Sequence, residues 1–175
     1  MRSIYVCVKG EKTMVDKKLS VLFVGNSYTY FNDMPHNAFT EAARLDGYDI
    51  EVTQITCGGY RLCQFANSED AEGKRLREAI QGKRYDCAVL QEQSTTPIKD
   101  EALFLAGVSS LKELISAYRF VLYATWGRND GSEDLVYLGL TREEMTDKLS
   151  TAYNKAGKLY DMKVAEVGKA FLAYS

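Results

Sequence analysis

The feature that most limits how this chain can fold is an alternation of two hydrophobic periods. Short stretches in which nearly every residue is apolar are separated by longer ones in which apolar residues recur three and four apart. The apolar runs fall at residues 19–24, 50–55, 86–90 and 120–125, with a weaker one at 162–167. Runs of that length suit strands buried on both faces, which show no polar alternation because neither side meets water. Between them, Ala38, Phe39, Ala42 and Leu45 repeat at helical spacing, as do Leu76, Ala79 and Ile80, and then Leu103, Ala106, Leu111, Leu114 and Ile115. A last long helix is announced at Thr141 by "TREE", a capping box with Glu144 at the third helical position, followed by Met145, Leu149, Tyr153 and Ala156 on one face. Strands in this order need helical crossovers, and right-handed crossovers place helices on both sides of a parallel sheet. The expectation is an α/β fold of three α/β/α layers, a doubly wound parallel five-stranded sheet with the flavodoxin-like strand order 2-1-3-4-5.

The 175 residues contain no internal repeat or low-complexity linker, which fits a single core. Residues 1–18 precede the first run and read as an N-terminal extension; because Met14 stands directly before "VDKKLSVLFVG", residues 1–13 read as an upstream stretch outside the fold, although "SIYVCV" would also suit an edge strand. Residues 19–175 then form the domain. With 22 basic and 24 acidic side chains the net charge is −2, so there is no basic field for nucleic acid. The N-terminal apolar stretch is broken by Lys9, Gly10 and Glu11 and lacks the form of a signal peptide, and no apolar run reaches the ~18 residues of a membrane span. A cytoplasmic protein without membrane association is expected. Cys7, Cys57, Cys63 and Cys87 match neither zinc nor redox spacings, so reduced thiols are expected and neither a metal nor a cofactor is indicated.

In a parallel sheet all carboxyl ends of the strands lie along one edge, where α/β proteins keep their sites. Here that edge receives Gly25-Asn26-Ser27, Cys57-Gly58-Gly59, Gln91-Glu92-Gln93-Ser94 and Trp126-Gly127-Arg128. Ser27 brings a hydroxyl, Gly59 an unhindered N–H and Gln93 a side-chain amide. With the N–H of Ser27 these make a three-donor oxyanion hole, the device that stabilises the tetrahedral intermediate of acyl transfer. A serine at such a junction can equally cap a helix, and two glycines can equally serve only a tight turn. Tyr28, Tyr30, Phe31, Tyr60 and Trp126 crowd the same edge, as stacking surfaces for a sugar or as rim packing. Arg61 and Arg128 can meet an anionic group or remain solvated. Tyr60, Trp126 and Arg128 are the substrate-contact candidates.

The blocks "VLFVGNSYTYFNDMP", "TCGGYRL", "YDCAVLQEQS" and "VLYATWGR" resemble, in order, those of the SGNH hydrolase superfamily of GDSL-like esterases, in particular a bacterial branch with G-N-S-[FY]-T and Q-E-Q-S blocks. The resemblance runs from residue 19 to the end of the sequence. It implies that Ser27 is the nucleophile, that Gly59 is the oxyanion glycine of the second block, and that Gln93 stands where the wider superfamily has Asn, with an amide arm one methylene longer. It further implies hydrolysis of a short-chain acyl ester, such as an acetyl group on a carbohydrate, without metal or organic cofactor. The superfamily's late D-x-x-H block, which carries the general base, has no counterpart: no histidine follows His36. On the resemblance the domain is therefore expected to be C-terminally incomplete and to lack the final helix, leaving part of one sheet face to a homodimer contact. Asp33 and His36 have D-x-x-H spacing, but Asp33 suits a helix cap and Pro35 a first turn, which would point His36 along a helix surface. Two other readings are an inactive SGNH-like binding domain and a flavodoxin-like phosphate or nucleotide binder. The second is opposed by "GNSYTYFNDMP", which is neither a P-loop nor G-x-G-x-x-G and is expected to run several residues before its helix starts.

Overall fold

The structure, a computed structural model, describes residues 18–174; most of the expected N-terminal extension, with Cys7 and "SIYVCV", lies outside the described residues. Five strands, β1 (Lys18–Gly25), β2 (Asp49–Thr56), β3 (Cys87–Leu90), β4 (Phe120–Tyr123) and β5 (Lys163–Ala165), form one sheet in the order β2-β1-β3-β4-β5. All neighbouring pairs are parallel. The expected topology is therefore the observed one. The register aligns Ile55, Val24, Leu90, Leu122 and Val164 across the sheet, so the carboxyl ends of the strands share one edge.

The helices are α1 (Ser27–Tyr30), α2 (Thr40–Leu45), α3 (Leu62–Ala66), α4 (Ala71–Ile80), α5 (Thr96–Lys99), α6 (Glu101–Leu114), α7 (Glu133–Leu138), α8 (Arg142–Tyr160) and α9 (Val167–Ala173). Alternation along β1 divides the core. Leu22 and Val24 face the larger cluster, with Leu62, Phe65, Leu76, Phe104, Val108, Leu111, Met145, Leu149 and Tyr153 from α3, α4, α6 and α8. Val21 and Phe23 face a smaller one, with Val89 and Tyr123 beneath Met34, Phe39, Trp126 and Val167. Each fully buried Leu or Phe contributes about 1.5–3 kcal/mol, so most of the stabilisation lies on the first face. On the second, Ile50, Val52 and Val121 at the flanks are only half-buried. Among the described residues no helix is long and apolar enough to cross a membrane.

Helix α8 follows its sequence signature. Thr141 Oγ1 accepts the Glu144 N–H at 3.1 Å, Glu144 Oε2 accepts the Thr141 N–H at 2.8 Å, and Met145, Leu149, Tyr153 and Ala156 are buried. Two other helices depart from the expected faces. Before α2 the chain passes through a 3-10 turn (Phe31–Asp33) and a π turn (Pro35–Phe39), in which the Phe39 N–H reaches back to the Met34 carbonyl. A turn that closes five residues back rotates the succeeding helix out of the 3.6-residue phase. Phe39 still packs edge-on against Phe23 at 5.1 Å, but Ala42 is exposed and Leu45 is 73% exposed. Asp33 does not cap: it lies in the left-handed region with φ 50°, next to Asn32 at 53°, and no side chain caps the π turn. In α6 the buried stripe is Phe104, Gly107, Val108, Leu111 and then Ile115, while Leu103 and Leu114 are half-buried and Ala106 is exposed. Gly107 decides this, because a Cβ there would stand 2.9 Å from Leu62 Cβ and 3.0 Å from the Cys63 nitrogen; the missing side chain lets α3 press onto α6.

Candidate active site

The turn after β1 is shaped by crowding. A Cβ on Gly25 would stand 2.4 Å from Thr29 Oγ1 and 2.8 Å from Gln91 Oε1, so only glycine lets the chain bend directly into a helix. Asn26, 2% exposed, then uses all of its polar groups. Its Oδ1 accepts the Tyr28 N–H at 3.2 Å and caps α1, its Nδ2 donates to the Tyr60 carbonyl at 3.0 Å, and its backbone N–H donates to Gln91 Oε1 at 2.9 Å. Helix α1 thus starts at Ser27 itself, which corrects the expectation of several irregular residues before the helix. Ser27 is exposed at its first position.

The turn after β2 spans residues 57–60 and closes with the Tyr60 N–H on the Cys57 carbonyl at 3.2 Å. Gly59 sits in the left-handed region at φ 74° with nothing within 4 Å of where a Cβ would be. The space beside its backbone is open. The Tyr60 ring packs against Phe65 at 5.5 Å.

Three polar residues follow β3, and each engages a different segment. Gln91 is wholly buried; its Oε1 accepts the Asn26 N–H and also the Thr29 hydroxyl at 2.8 Å, and its Nε2 donates to the Glu92 carbonyl. Glu92 is wholly buried too, with its carboxylate on the N–H groups of Leu62 and Gln93, and burial raises its carboxyl to about 7. Gln93 Oε1 accepts from the backbone and hydroxyl of Thr95, at 2.8 and 2.9 Å, and from those of Thr96, both at 3.1 Å. That fixes the amide plane at the start of α5. The Gln93 nitrogen makes none of these bonds.

After β4, the Gly127 N–H donates to Thr146 Oγ1 at 2.8 Å. Trp126 lies between Tyr28, at 4.7 Å, and Phe171 of α9, stacked at 4.8 Å. The Arg128 guanidinium stands 5.4 Å from the Tyr28 ring centre, and its Nε lies 2.9 Å from Asp134 Oδ2. Burial raises the Tyr28 hydroxyl, opposed by the Arg128 charge. The structure therefore groups Tyr28, Trp126, Arg128 and Phe171 and leaves the Tyr60 ring out of that group. His36 lies on the exposed π turn, and no hydrogen bond links its ring to Ser27. Cys57, Cys63 and Cys87 carry free thiols, as expected.

An exposed hydroxyl, an open glycine amide and a primary amide on adjoining loops offer the nucleophile and the donors that acyl transfer needs. Among solved structures, a protein from Slackia heliotrinireducens assigned as an SGNH hydrolase superposes with a TM-score of 0.76 at 28% identity, over 91% of this chain and 84% of that one. The structural neighbours of this chain are SGNH hydrolases and esterases. Its five-stranded α/β fold is the SGNH hydrolase fold. A DUF4886 family protein from Bacteroides uniformis gives 0.67 at 16% identity, over 85% of this chain and 66% of that one. A carbohydrate acetylesterase from Sinorhizobium meliloti gives 0.55 at 16%, over 84% and 83%. At such identity these two likenesses speak for the fold alone. No family model matches the chain, and no curated protein matches it. Within the SGNH fold, Asn26, Gln91 and Glu92 were placed at the site edge by the sequence without a role, and Thr29 was missed; their only signal was a polar residue at or just past the end of a strand.

Proposed function

We propose that this protein is a serine ester hydrolase of SGNH type for short-chain acyl esters, with acetylated carbohydrates as the substrate class. Ser27 is the nucleophile. The N–H groups of Ser27 and Gly59 and the Gln93 side-chain amide receive the oxyanion, and Trp126 and Arg128, with Tyr28, contact the substrate. The observation that carries the reading is the strand order: β1 lies between β2 and β3, which puts the Ser27 turn between the loops of Gly59 and Gln93. Attack by the Ser27 oxygen on the acyl carbon gives a tetrahedral intermediate whose negative oxygen meets those donors. Its collapse expels the alcohol and leaves an acyl-serine for water to cleave.

A serine hydroxyl needs a base to take its proton, and general-base assistance is commonly worth about 10²–10⁴-fold. The sole histidine of the sequence, His36, stands on an exposed turn with no bond to Ser27, so the described residues assign no histidine base to this serine. That same observation favours a second reading, an SGNH-like domain that binds esters without cleaving them. Hydrolysis of 4-nitrophenyl acetate and of acetylated sugars by the protein and by Ser27→Ala separates the two. Loss of the rate in Ser27→Ala, and an acceleration by added imidazole that exceeds imidazole's own cleavage of the ester only when Ser27 is present, support the hydrolase; equal rates for both proteins support the binder.

A further inference from the structure

Gln91 holds the Ser27 turn and Gln93 caps the start of α5, but Glu92 between them has no exposed surface. Its carboxylate spans two site segments. Oε1 accepts the Gln93 N–H at 2.6 Å, and both oxygens lie 3.3 Å from the Leu62 nitrogen. Leu62 opens α3, shortly after the Gly58-Gly59 turn, and that turn is held at its other sides by its own closing bond and by Asn26 on the Tyr60 carbonyl. Behind Glu92, its own N–H donates to the Tyr153 hydroxyl of α8 at 2.9 Å. The carboxylate thereby joins the segment bearing Gly59 to the segment bearing Gln93, and the backbone of the same residue ties both to α8.

We propose that Glu92 is a positioning residue for the oxyanion donors, its carboxylate locking the Gly58-Gly59 turn and the Gln93 loop into one frame. The proposal rests on the hydrolase reading given above. A carboxylate is an acceptor only and can hold both N–H groups with charge-assisted bonds; once protonated it carries an O–H that itself needs an acceptor, and one N–H is held less firmly. The titratable groups facing Glu92 are Arg61 just ahead of α3, Cys63 on α3 and Tyr153 on α8. Arg61 favours the ionised carboxylate, Cys63 is pushed up by burial and by Glu92, and burial keeps the Tyr153 hydroxyl neutral. Burial of Glu92 outweighs the two N–H bonds and sets its titration at about 7, so the frame tightens as pH rises through neutrality.

The test uses two readouts. In ¹H–¹⁵N spectra of the intact protein, the backbone amides of Leu62 and Gln93 are expected to titrate with one midpoint near neutrality. The Gly59 amide and the Gln93 side-chain NH₂ should follow with the same midpoint, and all four should lie flat in Glu92→Gln. Movement of the Leu62 and Gln93 backbone amides without the Gly59 amide and the Gln93 side chain overturns the proposal. In kinetics with 4-nitrophenyl acetate, Glu92→Gln is expected to lower kcat by about 10- to 100-fold, the scale of a small misplacement of reacting groups, with little change in KM and no rise across neutral pH. A Glu92→Gln protein with the parent's kcat and pH profile also overturns it. Should Ser27→Ala show that hydrolysis does not depend on Ser27, the hydrolase reading fails, and the spectra still decide the role of Glu92.

Discussion

Gln91→Leu removes the amide at the centre of the site edge, both the oxygen that accepts two hydrogen bonds and the nitrogen that donates to the Glu92 carbonyl, and puts a slightly shorter apolar side chain in its place. Gln91 is 0% exposed, and its Oε1 is the acceptor for both the Asn26 N–H at 2.9 Å and the Thr29 hydroxyl at 2.8 Å. Leucine accepts neither. Asn26 is 2% exposed and Thr29 1%, so water cannot readily replace the lost partner. A buried donor left unpaired costs about 1–3 kcal/mol; the N–H bears that in full, whereas the hydroxyl can rotate and bears only part. The gain from placing an apolar side chain in a buried position offsets about 1 kcal/mol. A net loss of about 2 kcal/mol results, which a domain of ordinary stability survives. With an m-value of about 2 kcal/mol per molar urea, the unfolding midpoint drops by about 1 M. Trp126, the single tryptophan, is stacked between Tyr28 and Phe171 beside the affected turn and reports unfolding by fluorescence. Ser27→Ala is the control: Ser27 is exposed, and its stability should change by less than about 0.5 kcal/mol. A Gln91→Leu loss no larger than the control's would refute the claim that this amide holds the nucleophile's turn.

Gly25→Ala forces a methyl group to within 2.4 Å of Thr29 Oγ1 and should cost about 1–3 kcal/mol, seen as a fall of several degrees in Tm; an unchanged Tm would show that the turn can relax. Tyr153→Phe takes the acceptor from the buried Glu92 N–H and should cost about 1–3 kcal/mol in urea unfolding, with the esterase rate as a second readout of the same edge. The stability of the parent protein should fall as pH rises from about 4.5 through 7, because a carboxyl raised to about 7 in the fold favours the protonated native state; the full effect is about 3 kcal/mol. Urea midpoints across that range should decline for the parent and stay level, as far as this residue contributes, in Glu92→Gln.

All five strands were legible in the sequence, to within two residues at every end, because short runs rich in apolar residues stood between segments of helical period. Helix α8 was equally clear, since its capping box and its buried face are both local patterns. What misled was phase. The π turn before α2 and the glycine in α6 each changed which side of a helix meets the sheet, and neither alters the count of apolar residues at helical spacing. Helix α1 was missed because "SYTY" has no apolar period, although Asn26 is a favourable capping residue. The site was legible as a set of strand-end residues but not as a network. Asn26 and Thr29 meet Gln91 across 65 and 62 residues of chain, a pairing that exists only once β1 and β3 are neighbours.

The two consequences of burying Glu92 point in opposite directions along the pH axis. Desolvation makes the ionised carboxylate costly, so the contribution of Glu92 to stability is greatest on the acid side of neutrality. The ionised form is also the one that accepts both the Leu62 and the Gln93 N–H groups with full strength, so the donor frame is firmest on the alkaline side. An uncharged polar residue at this position would avoid the first effect and lose the second. If positioning is what this carboxylate supplies, its contribution to stability must fall across neutral pH while the rate of acyl transfer rises. In Glu92→Gln both trends should disappear, with turnover lowered and the neutral-range loss of stability removed together. Loss of the stability trend without any change in turnover would mean that the carboxylate only caps α3 and has no part in the chemistry.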